Sequence, residues 1–314
     1  MVTILLCILS MGYAKNYTVS GLGSGAFMAN QLHIAYSSFV MGAGLIGGGP
    51  YHCTLDSRVY AESICRRHAD LIKDESIYQY ITELAGKGMI DPISNLDKSS
   101  VYIFGGALDT EFYPAVVKKT EELYKLLIKN GTIITNYEVQ AQHAWITSAT
   151  GNQCDYLGIP YVNFCDLDLA GEFMKMFDTG AMKGTANNTN IKTFSQTSFT
   201  DIIAAGLDSQ GYAYVPTNCT DTCSVHVALH GCYQEETNVD MTFIKENGLN
   251  DWAEGSDVIV LYPQIRKDST NNPMSCWDFW GYTGANYTVK NGVQMQAVHN
   301  MTQNIAVILS ESYN

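Results

Sequence analysis

The chain has 314 residues, 46% of them hydrophobic, enough to bury a sizeable core. Its 18 Lys and Arg against 31 Asp and Glu give a formal charge of -13. That balance argues against a nucleic-acid partner, which needs cations to neutralise phosphates, and against docking on anionic lipid.

Residues 1–14 read as a signal peptide. Residues 2–9 are an apolar run too short to span a bilayer, and Gly12 and Ala14 supply small residues before a cut ahead of Lys15. The competing reading is a buried first strand. Export is supported by cysteine usage. Removing Cys7 with the leader leaves eight of nine cysteines, an even number. The spacings suggest Cys53 with Cys65, Cys154 with Cys165, Cys219 with Cys223, and Cys232 with Cys276. Eight cysteines allow roughly 100 connectivities, so sequence leaves the pairing open. No CxxC pairs or histidines stand at zinc-ligand spacing, so no metal is expected, and no cofactor is implied. N-x-[ST] sequons at Asn16, Asn130, Asn187, Asn218, Asn286 and Asn300 fit a secreted glycoprotein.

Residues 16–20 alternate like a strand and run into Gly21-Leu22-Gly23-Ser24-Gly25. Residues 26–36 follow with Phe27, Met28, Leu32 and Ala35 at helical spacing. An apolar strand over 41–46 ends in Gly47-Gly48-Gly49-Pro50. Residues 58–84 look helical. Residues 101–104 read as a buried strand, 116–129 as an amphipathic helix and 132–139 as a strand. A short helix is expected over 167–177, then two antiparallel strands over 192–199 and 210–215. Buried strands over 225–229 and 258–262 flank a helix over 243–253, and a helix over 293–309 closes the chain. The alternation predicts an α/β fold with a mostly parallel sheet and helices on both faces. No Pro/Ser-rich linker divides it, so residues 15–314 are expected to form a single domain.

The strand, glycine turn and helix at the start have the context of a nucleophile elbow, where a strained turn projects its central residue above the sheet. In the frame G-x-S-x-G the outer glycines are Gly21 and Gly25, and the centre is Gly23. Asp109, in FGGALDTEFY, and His143, in AQHAWIT, both follow strands, where a doubly wound sheet places its site. The order elbow, acid, base is that of an α/β-hydrolase. The segment LHGC, ending in Cys232, follows the strand over 225–229 and is similar to the loop that supplies the second oxyanion-hole amide. That loop ordinarily precedes the nucleophile. Here it comes far later, and too few residues precede the elbow to hold the usual leading strands. A circularly permuted α/β-hydrolase fold is therefore expected.

The segments VSGLGSGAFMANQLHIAYS, GGGPYHC, CSVHVALHGCYQ and CWDFWGYTG, with those around Asp109 and His143, resemble the permuted, single-domain poly(3-hydroxybutyrate) depolymerases. The resemblance implies a secreted Ser-His-Asp esterase that cleaves short hydroxyacyl or related esters. It casts Asp109 as the triad acid, His143 as the general base, the amides of Ser24 and Cys232 as the oxyanion hole, and Trp277 as a wall of the acyl-binding crevice. It also places the nucleophile at position 23, where this chain has Gly. Glycine tolerates the strained φ but supplies no hydroxyl. Three readings follow. One is an active esterase in which a one-residue slip puts Ser24 at the elbow or, in a feebler variant, His143 activates water directly. The second is a catalytically silent protein that binds an ester, a hydroxyacid oligomer or a protein ligand in the crevice. The third is a structural glycoprotein.

Overall fold

A computed structural model describes residues 16–220 and 222–311. The expected signal segment lies outside the described residues. Eight strands form the main sheet in the order β4-β3-β2-β1-β10-β11-β9-β8. They are β1 (Tyr17–Leu22), β2 (Val40–Ile46), β3 (Ser100–Phe104), β4 (Thr132–Asn136), β8 (Ile191–Ser195), β9 (Gln210–Tyr214), β10 (Ser224–Leu229) and β11 (Val258–Tyr262). The run from β4 to β11 is parallel, and β9 pairs antiparallel with both β11 and β8.

Near-continuous apolar strands make this possible, because both faces of a parallel sheet are covered. Successive side chains point to opposite faces. Val101, Ile103, Ile259 and Leu261 join one core, with the helices Ser24–Ala35, Pro114–Leu127 and Val293–Gln303. Tyr102, Phe104, Val258, Val260 and Tyr262 join the other, with the helices Leu169–Phe177 and Leu249–Ser256.

The register aligns the strand ends. Gly21 pairs with both Leu45 and Leu229, and Phe104 pairs with both Ile46 and Asn136. The elbow, the residues after β3 and β4, and the loop after β10 therefore emerge at one edge. Strand order diverges between β1 and β10: the chain runs outward through β2 to β4 on one side, and β8 to β11 fill the other. A crevice beyond the carboxyl ends is expected at such a switch point.

Three helices expected as single runs break, the last, over 293–309, into Val293–Gln303 and Ile305–Glu311. The helix expected over 58–84 breaks into Arg58–Glu62, Ile64–Arg67, a 3-10 turn Ala69–Leu71 and Asp74–Gly86. Cys65 is tied to Cys53, and the Arg66 carbonyl accepts from the Tyr113 amide, which draws this segment toward the cleft. The helix expected over 243–253 is two pieces, Thr242–Glu246 and Leu249–Ser256, parted by Gly248 at φ 81°. Residues 145–164 hold a small parallel sheet, β5 (Trp145–Thr147), β7 (Val162–Phe164) and β6 (Asn152–Gln153), that the sequence does not announce.

All four suggested disulfides are present: Cys53–Cys65, Cys154–Cys165, Cys219–Cys223 and Cys232–Cys276. No helix among the described residues is long and apolar enough to cross a membrane.

Candidate active site

Gly23 ends β1 and precedes the helix Ser24–Ala35, with φ 56° and ψ -115°. The turn is possible because its neighbours lack side chains. A Cβ at Gly21 would lie 2.3 Å from the Gly25 carbonyl, and one at Gly25 would lie 2.2 Å from the Leu229 oxygen. A Cβ at Gly23 would meet no backbone. It would stand 2.9 Å from His143 Nε2 and 3.3 Å from Cε1. Of the three elbow glycines, Gly23 is thus the one that faces the histidine.

Ser24 does not replace it. Its side chain is buried, and its Oγ accepts from the Trp277 amide at 3.2 Å. The slip that would bring Ser24 to the elbow as nucleophile is corrected by this register, because Gly21 and Gly25 already fill the two close-approach positions. Ser24 still opens a twelve-residue helix, so its N–H has no partner within that helix.

His143 and Asp109 come together as expected from the sequence. Asp109 Oδ2 lies 2.8 Å from His143 Nδ1, and Oδ1 accepts from the amides of Glu111 and Phe112, each at 2.8 Å. With its acceptor carboxylate on Nδ1, the ring carries that proton and turns the Nε2 lone pair toward position 23. Both side chains are almost fully buried. Gly47, at φ 58°, makes room for the pair: a Cβ there would lie 2.8 Å from His143 Cε1 and 3.2 Å from Asp109 Oδ2. Its role was missed from sequence, although the triple glycine after the second strand was its signal.

The loop after β10 closes the other side. His230 is buried between the Gly231 carbonyl, 2.7 Å from Nδ1, and the Ile265 amide, which donates to Nε2 at 3.2 Å. Burial pushes its pKa down to about 4, which keeps it a neutral strut. Gly231 N–H donates to Gln234 Oε1, and the Gln234 amide donates to the Pro160 and Tyr161 carbonyls. Cys232, the expected second oxyanion residue, is bridged to Cys276 in the facing wall.

These residues enclose a cleft of about 220 Å³, with Gly23, Ser24, His143 and Cys232 among its lining. Trp277 is a correction. Its ring is fully buried, 5.7 Å from the His230 ring, and on that side of the cleft the aromatic lining is Phe279 and Trp280 instead, with Phe112, Tyr161 and Tyr233 also lining the cleft. Asp278 sets that wall. Its carboxylate accepts from the amides of Trp280, Gly281, Tyr282 and Thr283 and from the Thr283 hydroxyl. Two ion pairs border the cleft, Arg66 with Glu111 and Arg58 with Glu62, and the Arg66 guanidinium lies 5.8 Å from the Phe112 ring centre. Nothing in the sequence distinguished them from solvated charges.

The remaining histidines lie outside the cleft: His68 is exposed, and His299 stacks on Tyr36. His33 contacts the Tyr124 hydroxyl, His52 contacts Asp56, and His226 sits between the hydroxyls of Thr18 and Ser20. Among the described residues no group of three His, Cys, Asp or Glu is placed to hold a metal.

A doubly wound sheet with a glycine-flanked elbow, an acid–base pair after β3 and β4, and a backbone loop facing them defines the α/β-hydrolase class. No protein-family model matches the chain. It is 38% identical over 298 residues to a poly(3-hydroxybutyrate) depolymerase of Delftia acidovorans, covering 92% of this chain and 59% of that protein. It is 31% identical over 308 residues to a polyhydroxybutyrate depolymerase of Talaromyces funiculosus, covering 90% of this chain and 87% of that protein. The crystal structure of the PHB depolymerase from Penicillium funiculosum superposes with a TM-score of 0.84 at 30% identity, covering 94% and 97% of the two chains. A serine-to-alanine PHB depolymerase complexed with an R3HB trimer superposes equally well, covering 95% and 98%. The chain belongs to the poly(3-hydroxybutyrate) depolymerase family.

Proposed function

We propose that the cleft binds a short oligomer of 3-hydroxyacyl esters, outside the cell, and that the serine acyl-enzyme route is closed to this chain. One observation carries the second half: the residue facing His143 Nε2 is Gly23, while the adjacent Ser24 hydroxyl is turned to the Trp277 amide. Without a hydroxyl at that position no acyl-enzyme can form there. The first half is supported by the apolar, aromatic-walled cleft and by the relative complexed with an R3HB trimer. A mostly apolar pocket with a few convergent polar groups suits a ligand of alternating methyl-bearing and carbonyl units.

His143, Asp109 and the amides of Ser24 and Cys232 are assigned to the polar part of this site. The two amides would take a carbonyl oxygen, and His143 would face the atoms next to it. Export is supported by the four disulfides and by six sequon asparagines that are all exposed. Circular permutation is supported by the strand order, in which the strands that follow His143 complete the sheet beyond the elbow strand.

The test is titration of the protein with R-3-hydroxybutyrate trimer by calorimetry, alongside a fluorophosphonate probe of its serines. Saturable heat of binding and no labelled serine are expected. Absence of binding at millimolar trimer would sink the ligand assignment, and a labelled Ser24 would sink the closed serine route.

A further inference from the structure

We propose that the site is a slow hydrolase that uses water itself as the nucleophile, activated by His143 over Gly23 in a single displacement. This rests on the cleft assignment above and extends it to a reaction.

The geometry carries it. The His143–Asp109 pair is complete at 2.8 Å, is nearly excluded from solvent, and is accommodated by Gly47, where any side chain would collide with the ring. A ring positioned in this way presents its Nε2 lone pair at position 23, where none of the described residues offers it a partner oxygen. The Cβ point of Gly23 is 2.9 Å from Nε2, a hydrogen-bonding separation for a heavy atom, and 3.8 Å from Phe112 Cε2. A water lying somewhat farther from the Gly23 Cα, toward the open cleft, therefore meets Nε2 on one side and the bound ester on the other. A serine at position 23 would cover that position.

The step balances as follows. Water donates one proton to His143 Nε2 while its oxygen forms a bond to the ester carbonyl carbon. The carbonyl π electrons move onto oxygen, which accepts from the N–H groups of Ser24 and Cys232. The tetrahedral intermediate collapses, the bond from carbon to the alkoxy oxygen breaks, and His143 returns its proton to that oxygen. Ester and water become acid and alcohol, with no covalent enzyme intermediate and no other reactant. Asp109 stabilises the transient imidazolium and fixes its tautomer.

The experiment measures hydrolysis of p-nitrophenyl butyrate by the wild-type chain, His143→Ala and Gly23→Ala, with melting curves to confirm folding. Intact-mass spectra are taken during turnover. Wild type is expected to exceed His143→Ala by about 10²-fold, the usual scale of general-base catalysis. Gly23→Ala is expected to fall to the His143→Ala rate, since its methyl would stand 2.9 Å from Nε2 and displace the water. No acyl adduct is expected. Equal rates for wild type and His143→Ala would overturn the proposal, as would undiminished turnover in Gly23→Ala or an adduct on Ser24. The first result leaves trimer binding intact. Conversely, His143-dependent turnover with no trimer binding would remove only the ligand assignment.

Discussion

The two halves of the site stand in contrast. On the base side every group and every accommodation is present: His143, Asp109, the two amides that hold Asp109, and Gly47 beneath the ring. On the elbow side the backbone is intact and position 23 carries no hydroxyl. Gly21 and Gly25 are required by close backbone approach, whereas Gly23 faces a side chain. The fold therefore constrains the outer glycines and is indifferent to the hydroxyl between them. Chemistry can leave such a turn without disturbing a single strand, which is why fold and family cannot by themselves certify a serine mechanism.

The sharpest way to break this contrast is to restore the hydroxyl. Gly23→Ser is expected to raise p-nitrophenyl butyrate hydrolysis by about 10²-fold or more, with a fluorophosphonate now labelling position 23. His143 must retreat by a few tenths of an ångström to admit the new Cβ, so the gain falls short of a complete triad. An unchanged rate would mean that the elbow side lacks more than an oxygen. The complementary change, Gly47→Ala, damages the base side. Its methyl would lie 2.8 Å from His143 Cε1 in a backbone conformation that favours glycine. Turnover is expected to drop at least about 10-fold, the low end for a misplaced catalytic group. Trimer binding should change little. A parallel loss of binding and turnover would show that Gly47 shapes the whole cleft instead.

A third change tests what joins the halves to the aromatic wall. Cys232–Cys276 closes a loop across 44 positions and joins an assigned oxyanion residue to the strand of chain that carries Phe279 and Trp280. Loop-closure entropy puts its contribution at about 4 kcal/mol. The double variant Cys232→Ser, Cys276→Ser is expected to lose about that much in urea unfolding and to weaken trimer binding. Cys219–Cys223, across 4 positions, should matter less to both.

How much of this was legible follows from where each signal resides. Strands such as 101–104 and 258–262 could be read because burial on both sheet faces demands unbroken apolar runs. Asp109 and His143 could be read from their order after the elbow and their place past strand ends. β6 and β5, at two and three residues, are too short to show a period. Gly47 acts through a ring that arrives from far along the chain, so only its conformation was hinted at locally. From sequence the cleft wall was read at Trp277, whereas Phe279 and Trp280 line the cleft from that segment. An irregular segment has no period to say which side chain turns inward, and the carboxylate of Asp278, gathering four successive amides, decides it.

The smallest expected effect concerns histidines outside the site, and it separates them from His143. His226 is fully buried between Thr18 Oγ1 and Ser20 Oγ, with the Phe173 and Phe177 rings beside it. Burial lowers its pKa from 6.5 to about 3. Above pH 6.5 it is neutral in both folded and unfolded chains and contributes no pH dependence. Between pH 6.5 and about 3 the unfolded chain binds a proton that the folded chain refuses, so stability falls as pH falls. One proton corresponds to about 1.4 kcal/mol per pH unit. Replacing it in His226→Gln keeps a polar group for the two hydroxyls and removes the titration. The variant should be less stable than wild type at pH 7.5, through lost packing on Phe173, and should recover about 2 kcal/mol relative to wild type by pH 5. Urea midpoints at the two pH values measure this. Parallel losses in both proteins would mean that His226 is protonated in the folded core, with Thr18 and Ser20 accepting from it.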